Sequence, residues 1–228
     1  HRDSLGFHQK IRPGEVNWMV AGSGITHSER LEYARAHGAH MHGIQAWVAL
    51  PTEFEETAPA FYHHEGADLP EWQQDGVRGR LIAGTIDGLT ARVPTHSPLF
   101  YAHWDMAAGA RHSIGTQFPE RAVYVAAGEA TVDGQALKAG QMAVLAAGQT
   151  IDIEALQPAI VMVLGGEPMT ENLLMWWNFV GRSHDEIVQA RAQYEQRDPR
   201  FGLVAGDDRP FLPAPAMPNL RLRPRPGR

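Results

Sequence analysis

Gly22-Ser23-Gly24-Ile25-Thr26-His27-Ser28-Glu29-Arg30 alternates like a β-strand, and side chains two residues apart on a strand share a face, with α-carbons roughly 6.5–7 Å apart. His27 and Glu29 therefore lie on one side, bracketed by Ile25 and Leu31, while Thr26, Ser28 and Arg30 take the other. That pattern is expected on the inner wall of a β-barrel or sandwich. A buried carboxylate beside a buried imidazole needs a compensating charge. One divalent cation supplies it, and two His and a carboxylate with open positions suit non-haem iron. Taken alone, the spacing is met more often as a solvated strand edge or a local His–Glu hydrogen bond.

Outward from this stretch, short runs rich in Val, Ile, Trp and Tyr recur every eight to twelve residues between Gly, Pro, Asn and Asp, the signature of an all-β sandwich or barrel. Strands are expected at 15–20, 44–50, 77–85, 100–106, 122–127, 141–145 and 160–164. Asp133-Gly134, between Ala130–Val132 and Gln135–Leu137, predicts a tight hairpin, because both turn positions need positive φ. One helix is expected from Ser183, whose hydroxyl can cap Glu186 in a reciprocal capping box. It carries Ile187, Ala190 and Tyr194 on one stripe and stops before Asp198-Pro199.

Pro13-Gly14 followed by Ala21-Gly22 repeats the spacing of Ala139-Gly140 followed by Ala147-Gly148, at an offset of 126 residues. This implies two copies of one β unit. Each glycine pair would bound one strand, as in double-sheet jelly rolls such as cupins. On this alignment His27 falls on Ile153 and Glu29 on Ala155, so the second copy has hydrocarbon where the first has ligands. Two cupin-type domains are expected, an incomplete metal-bearing one at 1–93 and a metal-free one with helix and tail at 94–228.

The 228 residues carry a formal charge of −6, which argues against a general nucleic-acid surface. Cysteine is absent, so disulfides and cysteine redox chemistry are excluded, and the 12 histidines are the abundant ligand type. No run approaches the roughly 20 apolar residues of a membrane helix, and no charged-then-apolar leader opens the chain. A soluble, cytoplasmic protein is expected. The chain opens on His1 rather than Met, in what reads as a strand end, so an upstream segment is expected to have been lost.

Pro13-Gly14-Glu15-Val16-Asn17-Trp18-Met19, Ala21-Gly22 through Glu29, His42-Gly43-Ile44-Gln45 with Trp47, and Gly166-Glu167-Pro168 together make the chain resemble the pirin family, bicupins that bind one iron-type metal. The resemblance implies a His-x-His pair on one strand and a His-x-Glu pair on a later one, the second matched by His27 and Glu29. The first pair has no counterpart in these 228 residues. A two-ligand remnant leaves most coordination positions to water, so weak or absent metal binding is expected of this chain as it stands. What the resemblance implies for the whole protein is dioxygenase activity on flavonols of the quercetin type, with Glu29 as ligand and proton acceptor. A protein partner is also implied, through a regulatory module whose surface responds to the metal's oxidation state. An inert truncated remnant is the third reading.

Other candidates are weaker. His40-Met41-His42 is the one His-x-His in the chain, but His42 is expected on the strand leading to Trp47, hydrogen-bonding behind the ligands. His63-His64-Glu65 reads as a solvated loop. His112 stands alone, with Glu120 eight residues on, so a second metal is not expected. Trp176-Trp177-Asn178-Phe179 reads as a covering strand, and the basic, Pro-rich 220–228 as a mobile end.

Overall fold

The computed structural model describes residues 1–208 and 211–224, and the chain divides into two compact units. Unit 1 comprises 1–12, 17–63 and the chain from Met169 onward; unit 2 comprises 13–16 and 64–168. In chain order the first elements are β1 (Arg2–Asp3), β2 (Val16–Val20), β3 (His27–Ser28), the helix α1 (Glu32–His37) and β4 (Ala60–His64). Unit 2 then contributes β5 (Glu71–Gln74), β6 (Val77–Ile86), β7 (Leu89–Thr90), β8 (Leu99–Met106), β9 (Arg111–Ile114) and β10 (Glu120–Ala127). It continues with β11 (Glu129–Val132), β12 (Gln135–Lys138), β13 (Met142–Leu145), β14 (Ile151–Ala155) and β15 (Ala159–Gly166). The chain returns to unit 1 with β16 (Leu174–Trp176), β17 (Phe179–Gly181) and α2 (His184–Glu195).

Unit 2 is a two-sheet antiparallel sandwich of the jelly-roll kind. One sheet runs β13-β10-β15-β8-β6-β5 with β7 added to β6, and the other runs β12-β11-β14-β9. Alternation dictates the core: Val77, Leu81, Phe100, Trp104, Met106, Val123, Val125, Ile153, Val161 and Val163 point inward and are nearly inaccessible. The expected hairpin forms at Asp133-Gly134, with φ of 49° and 77°. Arg121 is a charged residue in this core, 2% exposed.

Unit 1 contains three two-stranded pairings among its described residues, β1-β3, β2-β4 and β16-β17. Its apolar cluster gathers Leu174, Phe179, Ile187, Phe201 and Ala214, with Trp176, Trp177 and Tyr194 packed against it. Thus the Trp-rich run is core packing, within a hairpin of unit 1. Helix α2 begins where expected: Ser183 Oγ accepts from Glu186 N at 3.3 Å, while Glu186 reaches past Ser183 to accept from Arg182 N at 2.7 Å. The chain is mainly β, with α2 the one helix longer than two turns among the described residues. No helix among the described residues is long and apolar enough to cross a membrane.

Two expectations fail here. Residues 44–50 form no strand, and Ile44, Trp47 and Val48 stay exposed, because no neighbour supplies a ladder of hydrogen bonds. His63 and His64 belong to β4 and are half-buried, with His63 Nδ1 2.8 Å from Asn17 Oδ1, rather than lying in a solvated loop. Of the tail, 220–224 is described and follows α2; residues 225–228 lie outside the described residues.

Candidate metal centre

Strand β3 is fixed by β1, with Asp3 opposite His27 and Arg2 opposite Ser28. Its even-numbered side chains and backbone face the packed side of unit 1. Thr26 N donates to Phe201 O at 2.9 Å, and the Arg30 guanidinium grips Asp207 through Nε at 3.2 Å and a terminal nitrogen at 2.6 Å. His27 and Glu29 take the other side and are both exposed. The expectation that this side is interior is therefore corrected for the chain as it stands: no strand lies along the second edge of β3 among the described residues.

Behind His27 lies a pair that the spacing of the sequence alone does not single out. The His1 ring stacks on Phe61 at 4.3 Å between centroids and lies 5.6 Å from the His27 ring, tilted by 22°. Its Nε2 is 3.0 Å from Oδ2 of Asp3, a carboxylate 1% exposed whose Oδ1 accepts from Leu5 N and Phe7 N at 3.0 Å each. A signal does exist: His1-x-Asp3 has the same spacing as His27-x-Glu29, masked by its position where the residues suggest a turn.

The internal repeat carries over to topology. Gly14 and Gly22 bracket β2, and Gly140 and Gly148 bracket β13, all four at positive φ. In unit 2, β14 lies between β11 and β9, so that Ile153 faces Val132 on one side and His112 on the other. In unit 1, β3 has β1 in the place of β11, and β1 turns through Gly6 to bridge His8 as β11 turns through Gly134 into β12. The counterpart of β9, which carries His112, is the flank of β3 that has no strand among the described residues. A His-x-His strand running there would face His27 as His112 faces Ile153.

The donors present do not by themselves fit a resident ion: among the described residues no three His, Asp or Glu side chains converge. His40 and His42 are both exposed in a segment without secondary structure, so His42 is not on a strand behind the ligands. His112 points into the barrel between Trp72, 4.5 Å away, and Trp104, 4.8 Å away edge-on. The half-buried His112 also borders an open depression of about 560 Å³, lined besides by Gln74, Asp75, Arg111, Ser113, Asp152 and Glu154. Those groups bind one another: Gln74 to Asp75, Ser113 to Asp152, and Arg111 to Glu154.

Burial holds the His112 imidazole below its ordinary range, against the opposing pull of Asp87 and Asp75. The folded state therefore carries His112 neutral where the unfolded chain already protonates, and stability must rise with pH across that interval. Unit 2 is expected to lose stability as the pH falls from 7 through about 6.5 toward the depressed value, the direction for a histidine that folding partly desolvates. Denaturant midpoints measured from pH 7.5 to 5 check this, and His112→Gln should reduce the slope, the remainder coming from His103, which burial and Arg80 also hold low.

The two-sheet sandwich, with its repeated β unit and a His-x-Glu strand in the first copy, defines a cupin-fold protein. Family models match on both sides of the chain, Pirin over residues 1–48 and the Pirin C-terminal cupin domain over 101–202. A pirin-like protein of Caulobacter vibrioides is 51% identical over 216 residues, covering 94% of this chain and 74% of that protein. Among solved structures, a quercetin 2,3-dioxygenase from Acinetobacter baumannii superposes with a TM-score of 0.83 at 32% identity, covering 98% of this chain and 73% of that one. A second quercetin 2,3-dioxygenase structure from the same organism gives a TM-score of 0.76 at 25% identity, covering 88% and 71%. The chain belongs to the pirin family.

Proposed function

We propose that this chain is the scaffold and half of the donor set of an iron-dependent flavonol dioxygenase of the quercetin 2,3-dioxygenase type, working in the cytoplasm. The observation that carries the reading is the pairing of β3, which has β1 where β14 has β11 and, among the described residues, no strand where β14 has β9. The solved dioxygenase relative at 32% identity supports the substrate class. On this reading 1–93 and 94–228 are the two cupin copies, and His27 and Glu29 are the second ligand pair. Iron, where a complete site holds it, supplies dioxygen activation. This chain's own part is positional and acid–base. The exposed Glu29 carboxylate takes the proton of the flavonol 3-hydroxyl, a contribution of about 10²–10⁴-fold for a positioned base, and His1, seated on Phe61 and tied to Asp3, backs the His27 ring.

The test compares this chain with a version extended upstream by a strand bearing His-x-His, measuring bound iron and quercetin-dependent oxygen uptake. The extended protein is expected to hold iron and consume oxygen, and Glu29→Gln in it to lower turnover about 100-fold or more. An extended protein that binds iron yet never consumes oxygen with flavonols refutes the enzyme. The reading as a redox-responsive protein-binding module would then gain over both the enzyme and the inert remnant. Leu31, Tyr33, Met41, Ile44, Trp47 and Val48 favour that alternative, being large apolar side chains exposed within one short segment.

A further inference from the structure

Arg221 and Leu222 lie beside the start of α2, tied there in part by an imidazole. The backbone N–H of Leu222 donates to Nδ1 of His184 at 3.1 Å. A backbone amide can only donate, so Nδ1 must carry a lone pair and the ring proton must sit on Nε2. We infer that His184 is a proton-operated latch for residues 217–224, closed while its imidazole is neutral and opened by protonation.

The segment's attachments separate into two groups. Upstream, Tyr194 Oη donates to Leu212 O at 2.9 Å, Arg191 Nε to Pro215 O at 2.6 Å, and Ala214 N to Glu195 Oε1 at 2.6 Å. None of these involves an imidazole. Downstream, the polar ties are the Leu222–His184 bond and the Arg221–Asp185 pair, whose contacts of 3.2 and 2.9 Å are largely exposed to solvent. Exposed ion pairs hold little. Leu222 and Met217 add apolar contact with the cluster around Phe179 and Ile187.

Protonation puts a hydrogen on both ring nitrogens, so Nδ1–H would confront the Leu222 N–H and the bond is lost. The charges around the ring divide. His184 is the first residue of α2, where the helix dipole disfavours a cation, and the Arg221 guanidinium adds to that from the segment. Asp185 and Glu186 on α2 oppose them, with Asp185 held below the usual carboxylate range mainly by its hydrogen bond to Arg221. The Arg182 guanidinium, just before the helix, is engaged by Glu55 and Leu50 O.

Amide hydrogen exchange on the full chain at pH 7.5 and 5.5, corrected for intrinsic rates, tests this. Protection around Leu222 should fall roughly tenfold at the lower pH, the equivalent of about one hydrogen bond, while 211–216 keeps its protection. In His184→Gln, whose Oε1 accepts without titrating, the pH response should vanish. Equal protection at both pH values in the parent chain overturns the latch. So does a response that survives in His184→Gln, and an Asp185→Asn variant that alone abolishes it would assign the response to the ion pair instead.

Discussion

Replacing Arg121 with Met should lower the stability of unit 2 by about 1.5–3 kcal/mol, the scale for losing hydrogen bonds from a buried charged donor. The guanidinium is 2% exposed at the start of β10 and meets no carboxylate among its hydrogen-bond partners. It donates to Gly115 O at 2.6 Å, to Gln149 O at 2.7 Å and to Ala146 O at 2.5 Å. Three carbonyls on two separate loops thus converge on one planar fork. Methionine fills the volume and removes the cost of a buried charge, but breaks all three bonds and unties the two loops, whose residues are half-buried at Gly115 and exposed at Ala146 and Gln149. Lysine keeps the charge and presents a compact ammonium in place of the fork, so Arg121→Lys should fall between. Hydrogen exchange in urea, read at the paired amides of β10 and β15, reports on the unit that contains the change. A loss under about 1 kcal/mol for Arg121→Met would mean that water takes over the carbonyls and the clamp contributes little.

Much of the barrel can be read from the amino acids, because a strand with one face in a core announces itself by alternation. Val77–Ile86 and Leu99–Met106 show it, burying every second residue and lying within a residue or so of their expected bounds. What alternation cannot supply is a neighbour. Residues 44–50 have strand composition yet form none, since a strand exists only by pairing. Helix α1 is unreadable for the opposite reason. It is six residues long, has no side-chain cap at Leu31 and buries nothing, so neither capping nor periodicity marks it.

The candidate site divides along the same line. The spacing of His27 and Glu29, and the hydrocarbon at Ile153 and Ala155 in the second copy, are properties of the chain and are legible in it. The exposure of His27 and Glu29 is a property of what pairs with β3, where β1 is the one neighbour among the described residues, and is not. His1 and Asp3 are inconspicuous in the sequence because their importance arises from the β1-β3 register, which places Asp3 opposite His27. A two-residue pairing carries too little pattern to be inferred from composition.

The repeat also allows a paired prediction in which the same substitution has unequal effects in the two copies. Gly22 and Gly148 occupy equivalent turns, with φ of 48° and 75°. A Cβ on Gly148 would meet nothing within 4 Å, so Gly148→Ala should cost only the left-handed backbone penalty of about 1–2 kcal/mol. A Cβ on Gly22 would lie 2.0 Å from the Thr57 carbonyl oxygen, far inside contact distance. That oxygen also accepts from Ser23 N at 2.9 Å, so relieving the clash breaks the bond that anchors the turn leading into β3. Adding overpacking and a lost hydrogen bond to the backbone penalty, Gly22→Ala should cost about 3–5 kcal/mol. Hydrogen exchange should locate the loss in 1–63, with the Ser4 amide, which donates to Thr26 O, and the Thr26 amide, which donates to Phe201 O, exchanging first. If the two alanines proved equally mild, the close approach at Thr57 would not be a feature of the folded protein, and the turn would not be what aims His27 and Glu29.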